Sequence, residues 1–244
     1  MKILDIDGPL ITFLSKMADM MWLTILTMIC CIPVITIGAS LTALNYVALK
    51  MARNEDGYVT RSFFKAFKEN FKQATIIWLL FLVVFAFLFV DYRILTTTEV
   101  SVPNIVRMLL LTFAVFVVFT FMFVWPVLAK FGNTVRRTIW NAFAISAAQF
   151  PKTLLMIFMY AVPFLLWYFV EPYIPNIVPI LFVFWLSVPA YLSAKLYDKF
   201  FRAMENKILA QQAENGEGDE NEEEEDVRIF KDEVDNSLKI GQDD

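Results

Sequence analysis

The sequence predicts an all-α, polytopic integral membrane protein with about five transmembrane helices, cytoplasmic amphipathic helices and a disordered acidic C-terminal tail. Three observations lead there. Hydrophobic residues make up 58% of the 244-residue chain, with 25 Phe and a mean hydropathy of +0.57, more apolar surface than a soluble core of this size encloses. Charged residues are 19% of the chain and clustered, which leaves long windows almost free of Asp, Glu, Lys and Arg. Those windows approach the roughly 20 apolar residues that cross about 30 Å of hydrocarbon.

Five windows qualify as spans, at about 20–37, 71–90, 108–129, 153–170 and 177–194. The shorter ones are flanked by Trp, Tyr, Phe and Lys, which extend a helix into the headgroup region by snorkelling. Together they define a membrane domain over 1–210, followed by an acidic cytoplasmic tail over 211–244. The net charge of −4 averages two different materials. Residues 1–210 carry 18 basic and 11 acidic side chains, and residues 211–244 carry 3 basic and 14 acidic. Within the tail, Asn215–Asp226 has almost no apolar content and cannot build a core. Val227, Phe230, Val234 and Leu238 recur at helical spacing beyond it, which suits either a docking helix or a solvated tail.

Orientation follows from Lys and Arg, which short cytoplasmic loops retain. Lys50, Arg53, Arg61, Lys65, Lys68 and Lys72 fill the first connection, and only Arg93 and Arg107 the second. Lys130, Arg136, Arg137 and Lys152 lie in the third, none in the fourth, and Lys195, Lys199, Arg202 and Lys207 follow the fifth span. The alternation predicts an outside N-terminus and a cytoplasmic C-terminus. Asp5 and Asp7 precede the first apolar stretch and nothing resembles a cleavage motif, so the first span is expected to be retained.

Two cytoplasmic connections read as amphipathic helices. In the first, Phe63, Phe64, Phe67 and Phe71 recur at helical spacing against Arg61, Lys65, Lys68 and Lys72. These eight residues are the candidate contact with an anionic membrane surface or a partner, since each Lys or Arg near an anionic leaflet contributes about 1 kcal/mol. In the third, Val135, Ile139, Ala142, Phe143, Ala147 and Phe150 form a stripe opposite Arg136, Arg137 and Asn141. Gly38–Ala52 is a mostly apolar segment ended by the turn Asn54-Glu55-Asp56-Gly57. Pro33, Pro126 and Pro189 sit near the inner ends of the odd-numbered spans, where each removes a helical hydrogen bond and favours a kink, a pattern that suits a coarse repeat or chance.

The chemistry of a catalytic or metal site is missing from the sequence. There is no His, the adjacent Cys30 and Cys31 suit neither a disulfide framework nor a metal site, and no Asp or Glu lies mid-window. The cysteines suit packing, with acylation or redox chemistry as the other readings. Neither G-x-x-x-x-G-K-[ST] nor G-x-G-x-x-G occurs among the 7 Gly, so no nucleotide loop is expected. We expect no enzyme activity, no cofactor, no metal and no nucleic-acid partner. Pro33, Thr36, Gly38, Ser40, Thr42 and Asn45 are the candidates for a polar site, or else for close helix packing.

Two stretches carry a family resemblance. Cys31-Ile32-Pro33-Val34-Ile35-Thr36-Ile37-Gly38-Ala39 with Thr42-Ala43-Leu44-Asn45-Tyr46 is one, and Ser62-Phe63-Phe64-Lys65-Ala66-Phe67-Lys68-Glu69-Asn70-Phe71-Lys72-Gln73-Ala74-Thr75 is the other. Together they resemble the YesL family of bacterial membrane proteins, strongly over about 15–90 and more loosely to about 205, where Asn141-Ala142-Phe143 and Phe150-Pro151 echo it. The chain departs from the pattern at Thr24, near where members often carry Asn. The resemblance implies a bacterial cell membrane and an accessory part in carbohydrate uptake beside a sugar-importer permease, with no catalytic or ligand residue to carry over. A non-enzymatic accessory or scaffold is therefore the first expectation, and a small-solute transporter or channel the alternative.

Overall fold

The computed structural model describes residues 9–55, 57–97, 104–170 and 184–216. Seven α-helices lie in these segments: α1 (Pro9–Cys31), α2 (Ile37–Arg53), α3 (Val59–Thr97), α4 (Asn104–Lys130), α5 (Val135–Ala148), α6 (Phe150–Val170) and α7 (Ser187–Gly216). No β-strand occurs among the described residues. The all-α, multi-pass architecture expected from the sequence is the one observed. Among the described residues four helices are long and apolar enough to cross a bilayer, α1 to α4, or five if the bent pair α5–α6 counts as one.

The helix boundaries differ from the hydropathy windows for definite reasons. The first window, 20–37, runs across a chain reversal. A proline disfavours helix at the residue before it, so α1 stops at Cys31 ahead of Pro33, which has extended backbone angles. A single 3-10 turn, Val34–Thr36, follows. The Thr36 hydroxyl sits 2.6 Å from the Cys30 carbonyl and 2.7 Å from that of Pro33, satisfying carbonyls that the helix end leaves open. Because the turn residues are themselves apolar, no hydropathy window registers the break.

Past the turn, the mostly apolar segment expected within the first cytoplasmic connection is α2, the most enclosed helix of the candidate spans. It ends at Asn54, whose left-handed φ of 56° lets its N–H reach the carbonyls of Lys50 and Met51. The chain then returns as α3, antiparallel to α2. Gly38 at the start of α2 meets α3 so closely that a Cβ there would lie 2.5 Å from the Ala74 carbonyl oxygen and 2.8 Å from Trp78 Cβ. The absence of a side chain is what allows the two backbones to touch.

The amphipathic helix expected at 61–72 and the span expected at 71–90 are one uninterrupted α3 of 39 residues. At 1.5 Å per residue it is about 58 Å long, about twice the hydrocarbon thickness. Its first half packs inward through Phe63, Ala66, Asn70, Ala74 and Ile77. In its second half Leu79, Val83, Phe87 and Val90 are exposed. The start of α4 behaves alike, with Ile105, Met108, Leu109 and Leu111 exposed, whereas residues 123–130 are buried throughout. An apolar α3–α4 hairpin therefore projects from a compact end where α2, the last turns of α4 and α7 meet.

The third connection contains α5 as expected, and its axis and that of α6 differ by 99° at the corner around Gln149. The Thr153 hydroxyl fastens that corner to the carbonyls of Ser146 and Gln149, at 3.0 and 3.1 Å. Of the fifth window, residues 177–183 lie outside the described residues, and Ser187 onward opens α7, which runs on to Gly216. The rest of the acidic tail, with its candidate docking helix, lies outside the described residues. The three prolines share no local structure: Pro33 stands in the reversal, Pro126 inside α4 and Pro189 in the first turn of α7.

The reversal at Pro33 also changes the side on which α1 begins. Lys16 Nζ donates to Asn54 Oδ1 at 2.7 Å, and Trp22 Nε1 to Thr60 Oγ1 at 2.8 Å. The start of α1 thus lies beside the α2–α3 turn, whereas the charge alternation sets the N-terminus opposite that basic connection. In a variant with Cys30 and Cys31 replaced by Ala, single cysteines at the exposed Leu14 and Tyr58 are expected to react with an impermeant maleimide from the same side of the membrane. In thermal unfolding in detergent, G38A is expected to lower the melting temperature by several degrees through overpacking. G57A, where a Cβ would find nothing closer than 3.7 Å, should leave it unchanged.

Candidate functional site

Three helices converge on a cluster of ion pairs at the compact end. Arg53, in the last turn of α2, donates from Nε to Asp198 Oδ1 at 2.6 Å and from Nη2 to Glu205 Oε1 at 3.0 Å. Lys130, in the last turn of α4, reaches Glu205 Oε1 at 3.5 Å, and Arg202 closes the cluster on Asp198 Oδ2 at 2.8 Å. Asp198, Arg202 and Glu205 share one face of α7, four and three residues apart. The Arg53 side chain is only 7% exposed and those of Asp198 and Glu205 about 15%. Arg53 and Lys130 both sit at helix C-termini, where the macrodipole favours a cation.

Apolar packing seals the cluster. Tyr197 packs tilted against Phe201 at 4.6 Å and meets Phe123 at 6.3 Å, while Phe131 meets Phe201 edge-on at 5.4 Å. The Tyr197 hydroxyl and Ser193 Oγ, one turn earlier, are buried without a hydrogen-bond partner. On the opposite side of α4, Trp78 and Trp125 face each other at 6.4 Å with both indole N–H groups buried and unpartnered, as is the Thr75 hydroxyl one turn from Trp78.

The two groups of residues singled out from the sequence have different fates. Along α3, Phe63 is fully buried and stacks on Phe67 at 6.2 Å, which in turn meets Phe71 at 5.6 Å. The aromatic and basic faces are therefore not cleanly opposed. Phe63 and the half-buried Phe67 face the core, whereas Arg61, Phe64, Lys68, Phe71 and Lys72 are exposed together, with Lys65 intermediate. This mixed basic and aromatic face runs without a break into the apolar surface of Ile76, Leu79, Leu80 and Val83.

On α2 the polar side chains bond to their own helix. Ser40 donates to the Thr36 carbonyl at 3.0 Å, Thr42 to Gly38 at 2.9 Å and Asn45 to Leu41 at 2.8 Å. Pro33 is exposed at the reversal, Thr36 caps it, and Gly38 is closed against α3. Thr24, the point of departure from the family pattern, is buried and hydrogen-bonded to Ser187 Oγ at 2.8 Å, tying α1 to α7. Among the described residues no group of three His, Cys, Asp or Glu is placed to hold a metal ion.

Asp198 and Glu205 escaped the sequence reading, which used Arg53 and Lys130 only as loop charges. The signal was present: they are the two acidic residues of 187–210, seven apart and so on one helical face. Residues 17–92, which take in most of α1, all of α2 and most of α3, match the protein family described as a protein of unknown function, DUF624. No curated protein and no solved structure matches the chain. The match is confined to the α1–α2–α3 unit, and Lys130, Asp198 and Glu205 lie beyond it.

Removing one partner of a buried ion pair leaves the other uncompensated, at a cost of about 3–5 kcal/mol. We expect R53A to lower the melting temperature in detergent sharply. R202A, whose side chain is 55% exposed, should cost less than about 1 kcal/mol.

Proposed function

We propose that this multi-pass membrane protein is a non-enzymatic accessory or scaffold in the bacterial cell membrane, working beside a carbohydrate importer. The carbohydrate link comes from the resemblance to the YesL family. The physical support comes from α2. Its polar side chains, the best candidates for lining a path, are engaged by their own backbone, and Gly38 is filled by α3. A helix so occupied serves packing rather than passage.

In this proposal the ends of α2, α4 and α7 face the cytoplasm, because their clustered cations belong to the segments that the charge rule assigns there. The start of α1 shares that side. The exposed face of Arg61, Phe64, Lys68, Phe71 and Lys72 rests at the level of anionic headgroups, where cations and aromatic rings are both favoured. The bilayer is thus one partner, and an importer permease the other.

A second reading, a small-solute transporter or channel, draws on a specific observation. The unpartnered Thr75, Trp78 and Trp125 give the α3–α4 interface buried donors that a polar solute would satisfy. Two measurements separate the readings. Purified in mild detergent from its native membrane, an accessory protein retains a permease component in stoichiometric amount, and its proteoliposomes show no sugar flux above empty vesicles. Flux without any retained component would favour the transporter.

A further inference from the structure

We propose that the groove between α4 and α5 is a site for one anionic phospholipid, with its phosphate held by Arg136 and Arg137. The groove encloses about 780 Å³ and is lined by Thr120, Arg136, Arg137, Ile139, Trp140 and Phe143. That volume falls in the range of about 300–1,000 Å³ typical of small-molecule sites.

The charge at its rim has no answer within the neighbouring chain. Arg136 and Arg137 are exposed, and neither forms an ion pair or hydrogen bond with a described residue. From residue 104 to residue 170 the sequence contains no Asp or Glu, so α4, α5 and α6 supply no counter-charge. Both arginines also sit in the first turn of α5, the end at which the helix macrodipole disfavours a cation. An external anion removes both penalties, and the guanidinium groups of two residues lining one groove supply donors suited to the oxygens of a phosphate.

The floor of the groove narrows the choice of anion. Phe143 packs against Phe116 at 5.7 Å and Trp140 at 5.9 Å, while Ile139 completes an apolar lining. Trp140 remains 68% exposed, on a helix whose axis lies 99° from that of the apolar α6. A free phosphate would leave this floor and the Trp140 ring in water. A phospholipid places its phosphate on the arginines, its glycerol near Thr120 and its acyl chains on the rings, which is the position Trp favours at a membrane interface. The site is separate from the exposed face of α3, and it stands whether or not an importer is retained.

Native mass spectrometry of the full chain in detergent tests this, with phosphatidylglycerol or phosphatidylcholine added. We expect one phosphatidylglycerol to be retained in preference to phosphatidylcholine, with affinity falling at least about tenfold in R136Q/R137Q. W140A should weaken retention while keeping the preference for phosphatidylglycerol, a second readout that does not alter charge. R61Q/K68Q, on the α3 face, should leave that bound lipid in place. Equal retention of the two lipids, unchanged affinity in R136Q/R137Q, loss of the lipid in R61Q/K68Q, or its full displacement by inorganic phosphate would overturn the proposal.

Discussion

The grip of Arg53 on Asp198 and Glu205 is the constraint on which the compact end of this protein depends. In hydrocarbon, or in a protein interior, a guanidinium survives only when its charge and its directional donors are met together. Here one arginine at the end of α2 meets two carboxylates of α7, and Lys130 brings the end of α4 to the same point. The geometry is directional in a way that apolar packing is not. It fixes the register of α7 against α2, because a shift of one residue would carry Asp198 and Glu205 off the facing side together.

With that end fixed, the other contacts follow as consequences of shape. Gly38 lets α2 and α3 touch, which lines Trp78 up with Phe121 and Trp125 on α4. Among the described residues no other helix covers α3 and α4 beyond this level, and their exposed residues are almost all apolar. Such a surface is stable where lipid is the solvent, since acyl chains cover Leu, Val and Phe without cost. The protein thus combines an end held by charge with a hairpin held by its solvent. The mixed basic and aromatic face of α3 and the arginine-rimmed groove beside α5 lie outside the compact core, where headgroups or partner proteins can reach them.

How much of this was legible in the sequence depends on which physical signal carried it. The helical class and the membrane setting come from bulk apolarity, and both hold. The basic and aromatic spacing at 61–72 also led to a helix, because a period of 3.6 residues survives whatever surrounds it. What hydropathy could not supply was the reversal at Pro33, since its flanking Ile32, Val34 and Ile35 are as apolar as a span. Missing it hid α2 and set the start of α1 apart from the α2–α3 turn, beside which it lies. Nor could loop-charge counting tell a cation facing water from one locked in an ion pair. Arg53 and Lys130 entered as topology signals, yet their partners sit some 70–150 residues further along the chain. Such pairing is fixed by tertiary packing and leaves only the spacing of Asp198 and Glu205 as a trace.

A double-mutant cycle between Arg53 and Asp198, followed by reversible unfolding in detergent, tests the central claim most directly. If the pair holds α7 to α2, then R53A, D198A and R53A/D198A will show a coupling energy of about 1–3 kcal/mol, the double variant being far less damaged than the sum of the singles. Additivity within about 0.5 kcal/mol would contradict the account, because it would mean that the Arg53–Asp198 pair does not couple α7 to α2.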